Sequence, residues 1–106
     1  NGERILSEEI SVIMTSKYTE GYPNKNEPFL FPDQIGSYFG FTFYVIEDSE
    51  IEGTNSSIGT YGWSGYHNTH FWINPEKKRY GLFMSRSREF SFDIGKDFRI
   101  AVNSVY

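Results

Sequence analysis

The strongest constraint on the fold is the alternation of two sets of residues between positions 38 and 46. Residues of the first set are all apolar, and residues of the second set, which lie between them, become largely apolar towards the end of the segment. The first set is Phe39, Phe41, Phe43 and Val45, and the second is Gly40, Thr42, Tyr44 and Ile46. A period of two is typical of a β-strand. Two apolar faces predict that the sheet around this strand is covered on both sides.

Three more segments of strand length follow, at residues 58–65, 68–74 and 79–86. Between the last two, Asn74 and Pro75 begin a polar stretch that predicts a hairpin connection. Residues 47–57 are acidic and polar and contain Gly53 and Asn55, a composition that predicts an exposed turn.

Both ends of the sequence carry helical patterns. Ser7 followed by Glu8 and Glu9 predicts a helix N-cap with acidic residues in the first turn. Near the C-terminus, Ser91 or Asp93 is a candidate cap for a helix. The apolar face of that helix is predicted at Ile94, Phe98, Ala101, Val102 and Val105. The element order predicts an α+β fold, with an antiparallel sheet of about four strands flanked by an N-terminal and a C-terminal helix.

Charge and length limit the partners of the chain. It has 106 residues, no cysteine, and 10 Lys+Arg against 14 Asp+Glu, for a formal net charge of -4. The acidic balance argues against a nucleic-acid surface, and no apolar run approaches the length of a membrane span. Without cysteine there is no disulfide framework, which leaves the compartment undetermined. Since aromatic residues make up 19% of the chain, we expect it to fold.

The beginning of the sequence, Asn-Gly-Glu-Arg, has no signal-peptide pattern, and we expect it to lie inside a longer gene product. Residues 22–34 contain Pro23, Pro28 and Pro32 and predict a long loop. Structureless loops of this length in a small domain are usually functional or take contacts from elsewhere.

One segment resembles a known family. Residues 62–77 read Gly-Trp-Ser-Gly-Tyr-His-Asn-Thr-His-Phe-Trp-Ile-Asn-Pro-Glu-Lys, and Gly-Leu-Phe-Met follows at 81–84. This pattern resembles the C-terminal part of the β-lactamase-like serine hydrolases, which include class C β-lactamases, penicillin-binding DD-peptidases and related esterases and amidases. The similarity extends to residues 6–15, 36–45 and 93–106. It implies that residues 1–106 are a single partial domain, the C-terminal segment of a larger hydrolase domain.

The resemblance implies roles for four residues. The family carries a three-residue box on a strand beside the active site, Lys-Thr-Gly in β-lactamases and often His-x-Gly or Trp-x-Gly in esterase-like members. Trp63, Ser64 and Gly65 match this box, and glycine suits the third position because a side chain there would obstruct a substrate lying along the strand. Tyr66 would then contribute its backbone N–H to the oxyanion hole.

The substrate implied by the resemblance is uncharged at this position. Trp63 cannot offer the cation that the β-lactamase lysine places near a substrate carboxylate, so a neutral small-molecule ester, amide or peptide is expected. The resemblance implies no cofactor and no metal, and a periplasmic or extracellular location for the whole protein.

The nucleophile of the family is missing from the sequence. No serine is followed three residues later by lysine, so the Ser-x-x-Lys motif does not occur in the 106 residues. The residue pattern of the family's Tyr-x-Asn motif occurs at Tyr22 and at Tyr66, and we interpret both matches as coincidence. We therefore expect the chain to supply the substrate-binding strand and an oxyanion donor of a hydrolase, and to have no acyl-transfer activity alone.

Other interpretations of the same residues are weaker. Ser64 with His67 or His70, and an acid such as Glu47 or Asp48, could form a Ser/His/Asp triad, but nothing in the sequence forms a nucleophile elbow. The two histidines could form a metal pair, but no further ligand cluster accompanies them.

The aromatic residues allow a different class of function. A stacking platform for sugars or bases could be formed by Trp63, Tyr66, Phe71 and Trp72. We favour an alternative in which Phe71 is core and Trp63 and Tyr66 line a cleft. A non-catalytic, aromatic-rich binding or scaffolding module remains the second hypothesis for function.

We also expect the isolated chain to self-associate or to be unstable alone. The family's sheet takes further strands from the N-terminal end of its domain, which leaves an edge with unpaired backbone groups here.

Overall fold

A computed structural model describes residues 2–18 and 36–105 of the chain. The loop predicted at residues 22–34, and with it the Tyr-x-Asn match at Tyr22, lies outside the described residues. The described residues form an α+β fold with an antiparallel sheet. No helix in them is both long enough and apolar enough to cross a bilayer.

Within residues 2–18 and 36–105 the sheet has five strands, whereas the sequence predicted about four. The spatial order of the strands follows the chain from β1 to β5. The strands are β1 (Ser37–Phe39), β2 (Tyr44–Ile46), β3 (Tyr61–Gly65), β4 (Thr69–Asn74) and β5 (Arg79–Phe83). All neighbouring pairs are antiparallel. The hairpin predicted between the last two strands is confirmed, with the Asn74 side chain accepting a hydrogen bond from the Lys77 N–H at 2.9 Å.

The single strand predicted at residues 38–46 is wrong, because the chain turns back on itself in the middle of that segment. The Gly40 N–H donates to the Phe43 carbonyl at 2.9 Å, and β1 and β2 pair on either side of this turn. A Cβ at Gly40 would lie 2.6 Å from the carbonyl oxygen of Met14. The turn therefore depends on a glycine that lets another part of the backbone approach closely.

The exposed turn predicted at residues 47–57 is also wrong. The segment contains a short helix, α2 (Ser49–Glu52), which Asp48 caps by accepting hydrogen bonds from the N–H groups of Glu50 and Ile51. Glu52, Thr54 and Ser56 are buried. These polar residues lie inside because they hydrogen-bond to one another and to the C-terminal helix, where Asn103 donates to the Thr54 carbonyl at 2.9 Å and to the Ser56 hydroxyl at 3.2 Å.

The two terminal helices begin where the sequence predicted. In α1 (Glu8–Thr15) the Ser7 hydroxyl accepts a hydrogen bond from the Ile10 N–H at 3.2 Å, and none of its residues is buried. In α3 (Phe92–Val105) the Ser91 hydroxyl accepts from the Asp93 N–H at 3.2 Å. Both N-caps satisfy amide groups that have no partner within the helix.

The face of α3 that packs on the sheet matches the predicted one only in part. Phe98, from the predicted face, lies beside Trp72 and Phe83, with ring centroids 6.4 and 5.8 Å apart. The buried residues of α3 are Gly95 and Arg99, whereas Ala101 and Val105 are exposed. A Cβ at Gly95 would lie 2.6 Å from the His70 ring nitrogen Nδ1, so glycine allows the helix to approach β4 closely. Gly95 thus packs against β4, and the charge of Arg99 is paired with residues of α2 and β2.

Arg99 ties α3 to two other elements. Its guanidinium donates from Nη2 to the Glu52 carboxylate at 2.7 Å and from Nη1 to the Tyr44 hydroxyl at 2.8 Å. Thr54 donates to the other Glu52 oxygen from both its N–H and its hydroxyl. We call Arg99, Glu52 and Tyr44 the arginine cluster. It joins α3, α2 and β2 in the interior.

The edges of the described sheet are β1 and β5, at opposite ends of the strand order. Edge-to-edge pairing with a second copy of the chain stays a prediction, and its physical basis is the row of unpaired backbone groups at such an edge.

We predict that Arg99→Met lowers the free energy of unfolding by about 3–5 kcal/mol, because it leaves the buried Glu52 carboxylate without its cation. Chemical unfolding followed by circular dichroism measures the change. The matched control is Arg88→Met at an exposed position. The double variant Arg99→Met/Glu52→Met should recover part of the loss, since no buried charge remains. A single variant within about 0.5 kcal/mol of the wild type would contradict the prediction.

Candidate functional site

The four residues singled out by the sequence lie together at one end of β3. Trp63, Ser64 and Gly65 are the last three residues of the strand, and Tyr66 is the first residue of the turn into β4. Across the β3–β4 ladder, Ser64 lies opposite His70 and Gly65 lies opposite Thr69.

All four residues line a groove of about 240 Å³. We call it the aromatic groove. Its walls are Phe39, Trp63, Ser64, Gly65, Tyr66, Phe90 and Phe92. The Phe39 and Trp63 ring centroids are 5.5 Å apart, and the Phe90 and Phe92 rings meet edge to face at 4.6 Å. Residues from β1, β3 and the segment entering α3 thus form one concave surface.

The turn beside the groove is held by Asn68, which is fully buried and has a φ of 59°. Asparagine tolerates this left-handed conformation better than most residues. Its side-chain amide donates to the Glu89 carbonyl, and its side-chain oxygen accepts from the Ser91 N–H at 2.7 Å. Because Phe90 lies between these two partners, Asn68 fixes one wall of the groove relative to β3. This role was not predicted from the sequence, although an asparagine at the end of a short hairpin turn is a signal for it.

Tyr66 is the residue whose backbone N–H the family resemblance assigns to an oxyanion hole. The residue follows the last pair of the β3–β4 ladder, and none of the described residues accepts a hydrogen bond from its N–H. Its phenol ring is 80% exposed and makes an edge-to-face contact with the His67 ring at 5.0 Å. Tyr66 thus lines the groove and has a backbone N–H without an acceptor among the described residues.

The glycine at position 65 is not required by the packing of the chain. A Cβ there would come no closer than 3.5 Å to the Thr69 side chain, which is an ordinary contact. Its φ does not lie in the left-handed region. Gly95, where an added Cβ would clash with His70, shows the opposite case.

A smaller cavity of about 20 Å³ lies beneath α3, and we call it the inner cavity. Its walls are Ser37, Tyr44, Ser64, His70, Phe92, Gly95, Lys96 and Arg99. Ser64 and Phe92 line both this cavity and the aromatic groove. The volume suffices for one water-sized molecule, which needs roughly 10–15 Å³. Two buried nitrogens in its walls, His70 Nε2 and Arg99 Nε, have no hydrogen-bond partner among the described residues.

The environment of His70 favours its neutral form. Burial lowers the pKa of its imidazole, the positive charge of Arg99 lowers that pKa further, and a hydrogen bond with the Ser91 backbone opposes them. The Phe83 and Phe90 rings flank it, with centroids at 6.3 and 5.9 Å. Burial also raises the pKa of the Tyr44 phenol, an effect that the nearby Arg99 partly offsets, so Tyr44 remains a neutral acceptor for the guanidinium.

The structure brings together part of the triad considered from the sequence. Ser64 and His70 are cross-strand neighbours and line the same inner cavity. Asp48 is committed to capping α2, and His67 is exposed with its Nδ1 3.2 Å from the Ser87 carbonyl oxygen. Among the described residues, no group of three or more histidines and carboxylates is placed to hold a metal ion.

The four aromatic residues considered as a stacking platform do not share one surface. Trp63 and Tyr66 line the aromatic groove, whereas Trp72 is only 2% exposed and lies beside Phe98 of α3, with ring centroids 6.4 Å apart. Phe71 is half-buried opposite Trp63 in the ladder.

Comparison of the sequence with protein-family models and with curated proteins gives no match. The geometry of the groove and the residues that line it are therefore the basis of the function proposed below.

We predict that the chain loses stability as the pH falls from 7.5 towards 5.5, and that His70 causes much of this loss. The unfolded chain takes up a proton on His70 near pH 6.5, whereas the folded chain resists it because its pKa is lower. The contribution is therefore fully present above pH 6.5 and decreases below it. Urea midpoints measured across this range should depend less on pH in His70→Gln than in the wild type. His67→Gln, at the exposed histidine, is the control and should keep the wild-type slope; an unchanged slope in His70→Gln would contradict the prediction.

Proposed function

We propose that this chain supplies the substrate-binding strand and one oxyanion donor of a β-lactamase-like serine hydrolase. The observation that carries the proposal is the aromatic groove, because the residues matching the family's three-residue box and the residue after it all line it. The reaction class is acyl transfer from an ester, amide or peptide through an acyl-enzyme.

Gly65 and Tyr66 support the proposal in different ways. Since packing does not require glycine at position 65, its lack of a side chain is better explained by a substrate lying along the strand. The Tyr66 N–H points from a turn that Asn68 and His67 tie to the segment before α3. A donor held in this way stabilises a developing oxyanion without having to reorganise.

The composition of the groove walls also favours an uncharged substrate. None of the described residues in its walls carries a charge, and Trp63 occupies the position of the lysine in the β-lactamase box. A carboxylate placed here would lose its hydration without gaining a cation. A neutral ester, amide or peptide fits these walls better than an anionic β-lactam does.

The proposal requires a nucleophile from outside the sequence. A serine of a Ser-x-x-Lys motif would attack the carbonyl, with a lysine and a tyrosine handling the proton, because no such motif occurs in the 106 residues. Ser64 alone has no positioned base, since His70 Nε2 accepts no hydrogen bond from it.

We predict that the open reading frame upstream of Asn1 encodes Ser-x-x-Lys and Tyr-x-Asn motifs. We also predict that Gly65→Val, made in the full-length product of that reading frame, lowers kcat/KM for neutral esters by at least about a hundredfold. The valine side chain would hold the substrate carbonyl away from the Tyr66 N–H, which costs as much as the loss of one oxyanion-hole donor. The melting temperature should stay near the wild-type value, because strands favour β-branched residues and a Cβ at this position comes no closer than 3.5 Å to the Thr69 side chain. Thr69→Val, opposite Gly65 in the ladder, is the matched control.

A fluorophosphonate probe should label the full-length product and leave residues 1–106 alone unlabelled. Absence of the upstream motifs, or wild-type activity in Gly65→Val, would refute the hydrolase proposal. Stoichiometric labelling of the isolated chain at Ser64, abolished by Ser64→Ala, would instead make Ser64 and His70 the catalytic pair.

The second candidate function is a non-catalytic, aromatic-rich binding module. It is favoured by the exposed aromatic walls of the groove together with the lack of a Ser-x-x-Lys motif in the sequence. If this is correct, peptidoglycan fragments or oligosaccharides should change the Trp63 fluorescence in a saturable way. The buried Trp72 provides a constant background, which the variant Trp63→Phe isolates. A flat titration with every ligand leaves the module hypothesis without support.

A further inference from the structure

We infer that the aromatic groove binds the flat, uncharged ring of an aryl ester or amide, with the ring against the Trp63 indole and the carbonyl towards the Ser64 and Tyr66 end. This inference rests on the proposed function for the reacting carbonyl, and the ring site itself stands on the walls of the groove.

The size of the groove fits one ring. Its volume of about 240 Å³ lies below the range of about 300–1,000 Å³ that is usual for pockets binding drug-sized ligands. A single six-membered ring with its carbonyl group is therefore a better match than an extended peptide.

The aromatic walls of the groove come from two parts of the chain. Phe39 and Trp63 belong to the sheet, and Phe90 and Phe92 belong to the segment leading into α3. Trp63 is 41% exposed and Phe90 is 40% exposed, so both rings keep surface that a ligand can cover. Aromatic rings prefer offset or edge-to-face contacts with other rings, which a flat ligand can make and a puckered one cannot.

The described residues in the walls of the groove carry no charge. Arg99 is paired with Glu52, and Lys96 lines the inner cavity and not the groove. The polar residues in the walls are Ser64 and Tyr66, and a hydroxyl or a backbone N–H can donate to a carbonyl oxygen. This division favours a neutral ligand with one carbonyl over a carboxylate.

The test compares benzamide with benzoate, because the two share a ring and differ in charge. Benzamide titrated into the chain should shift the indole N–H signal of Trp63 in a saturable way and leave that of the buried Trp72 in place. Benzoate should bind at least tenfold more weakly. Cyclohexanecarboxamide, which is neutral but not flat, should bind several-fold more weakly than benzamide, and acetamide should produce no saturable shift.

Variants locate the site by ligand-observed NMR, which does not need the Trp63 signal. Trp63→Ala should lose benzamide binding, and Trp63→Lys should reverse the preference towards benzoate. Leu82→Ala removes an exposed apolar residue of β5 outside the groove and should bind like the wild type. If a Trp63 variant fails to fold, the wild-type comparison of benzamide with benzoate still decides the inference.

Three results would overturn the inference: no saturable shift of Trp63 with benzamide, unchanged binding in a folded Trp63→Ala, or benzoate binding as tightly as benzamide. If the last of these is abolished by Lys96→Met, the groove is anion-selective through Lys96. None of these assays needs a nucleophile. Ring binding without upstream catalytic motifs refutes only the hydrolase proposal, and hydrolysis of aliphatic esters by a full-length product without ring binding refutes only this inference.

Discussion

The buried contact of Arg99 with Glu52 and Tyr44 organises the interior of this chain. Four apolar residues are buried in the described part, and apart from three glycines the other buried residues there are polar or charged. Burying an ion pair costs desolvation that the attraction between the charges only partly offsets. The cluster therefore acts less as a source of stability than as a requirement for one arrangement, since any other packing of α3 leaves a charge unpaired.

The position of α3 determines the site. With Arg99 held against β2 and α2, Gly95 lies directly over His70, and Phe92 comes to the point where the inner cavity and the aromatic groove meet. Ser64 faces both spaces. A polar interior and an aromatic, uncharged groove thus share one wall. The separation of the two depends on the position of α3, which is held by Arg99, by hydrogen bonds from Asn103 to Thr54 and Ser56, and by the contact of Phe98 with Trp72.

On the other side of the groove, Asn68 holds the chain in position. Its side chain bonds to the backbone of residues 89 and 91, so the turn that carries Tyr66 and the segment that carries Phe90 cannot move independently. A binding surface assembled from three separate segments of chain needs such links, because loops positioned only by their own conformation lose entropy when a ligand orders them.

Local signals in the sequence determined much of this protein: the N-caps at Ser7 and Ser91, the three strands after residue 58 and the hairpin at residues 75–78. These depend on neighbours a few positions apart, which capping, alternation and turn chemistry reveal. Only the tertiary structure decided the turn at Gly40, the burial of Glu52 and the walls of the groove. Arg99 and Glu52 are 47 residues apart in the sequence, and nothing local to either residue shows that burial will pair them.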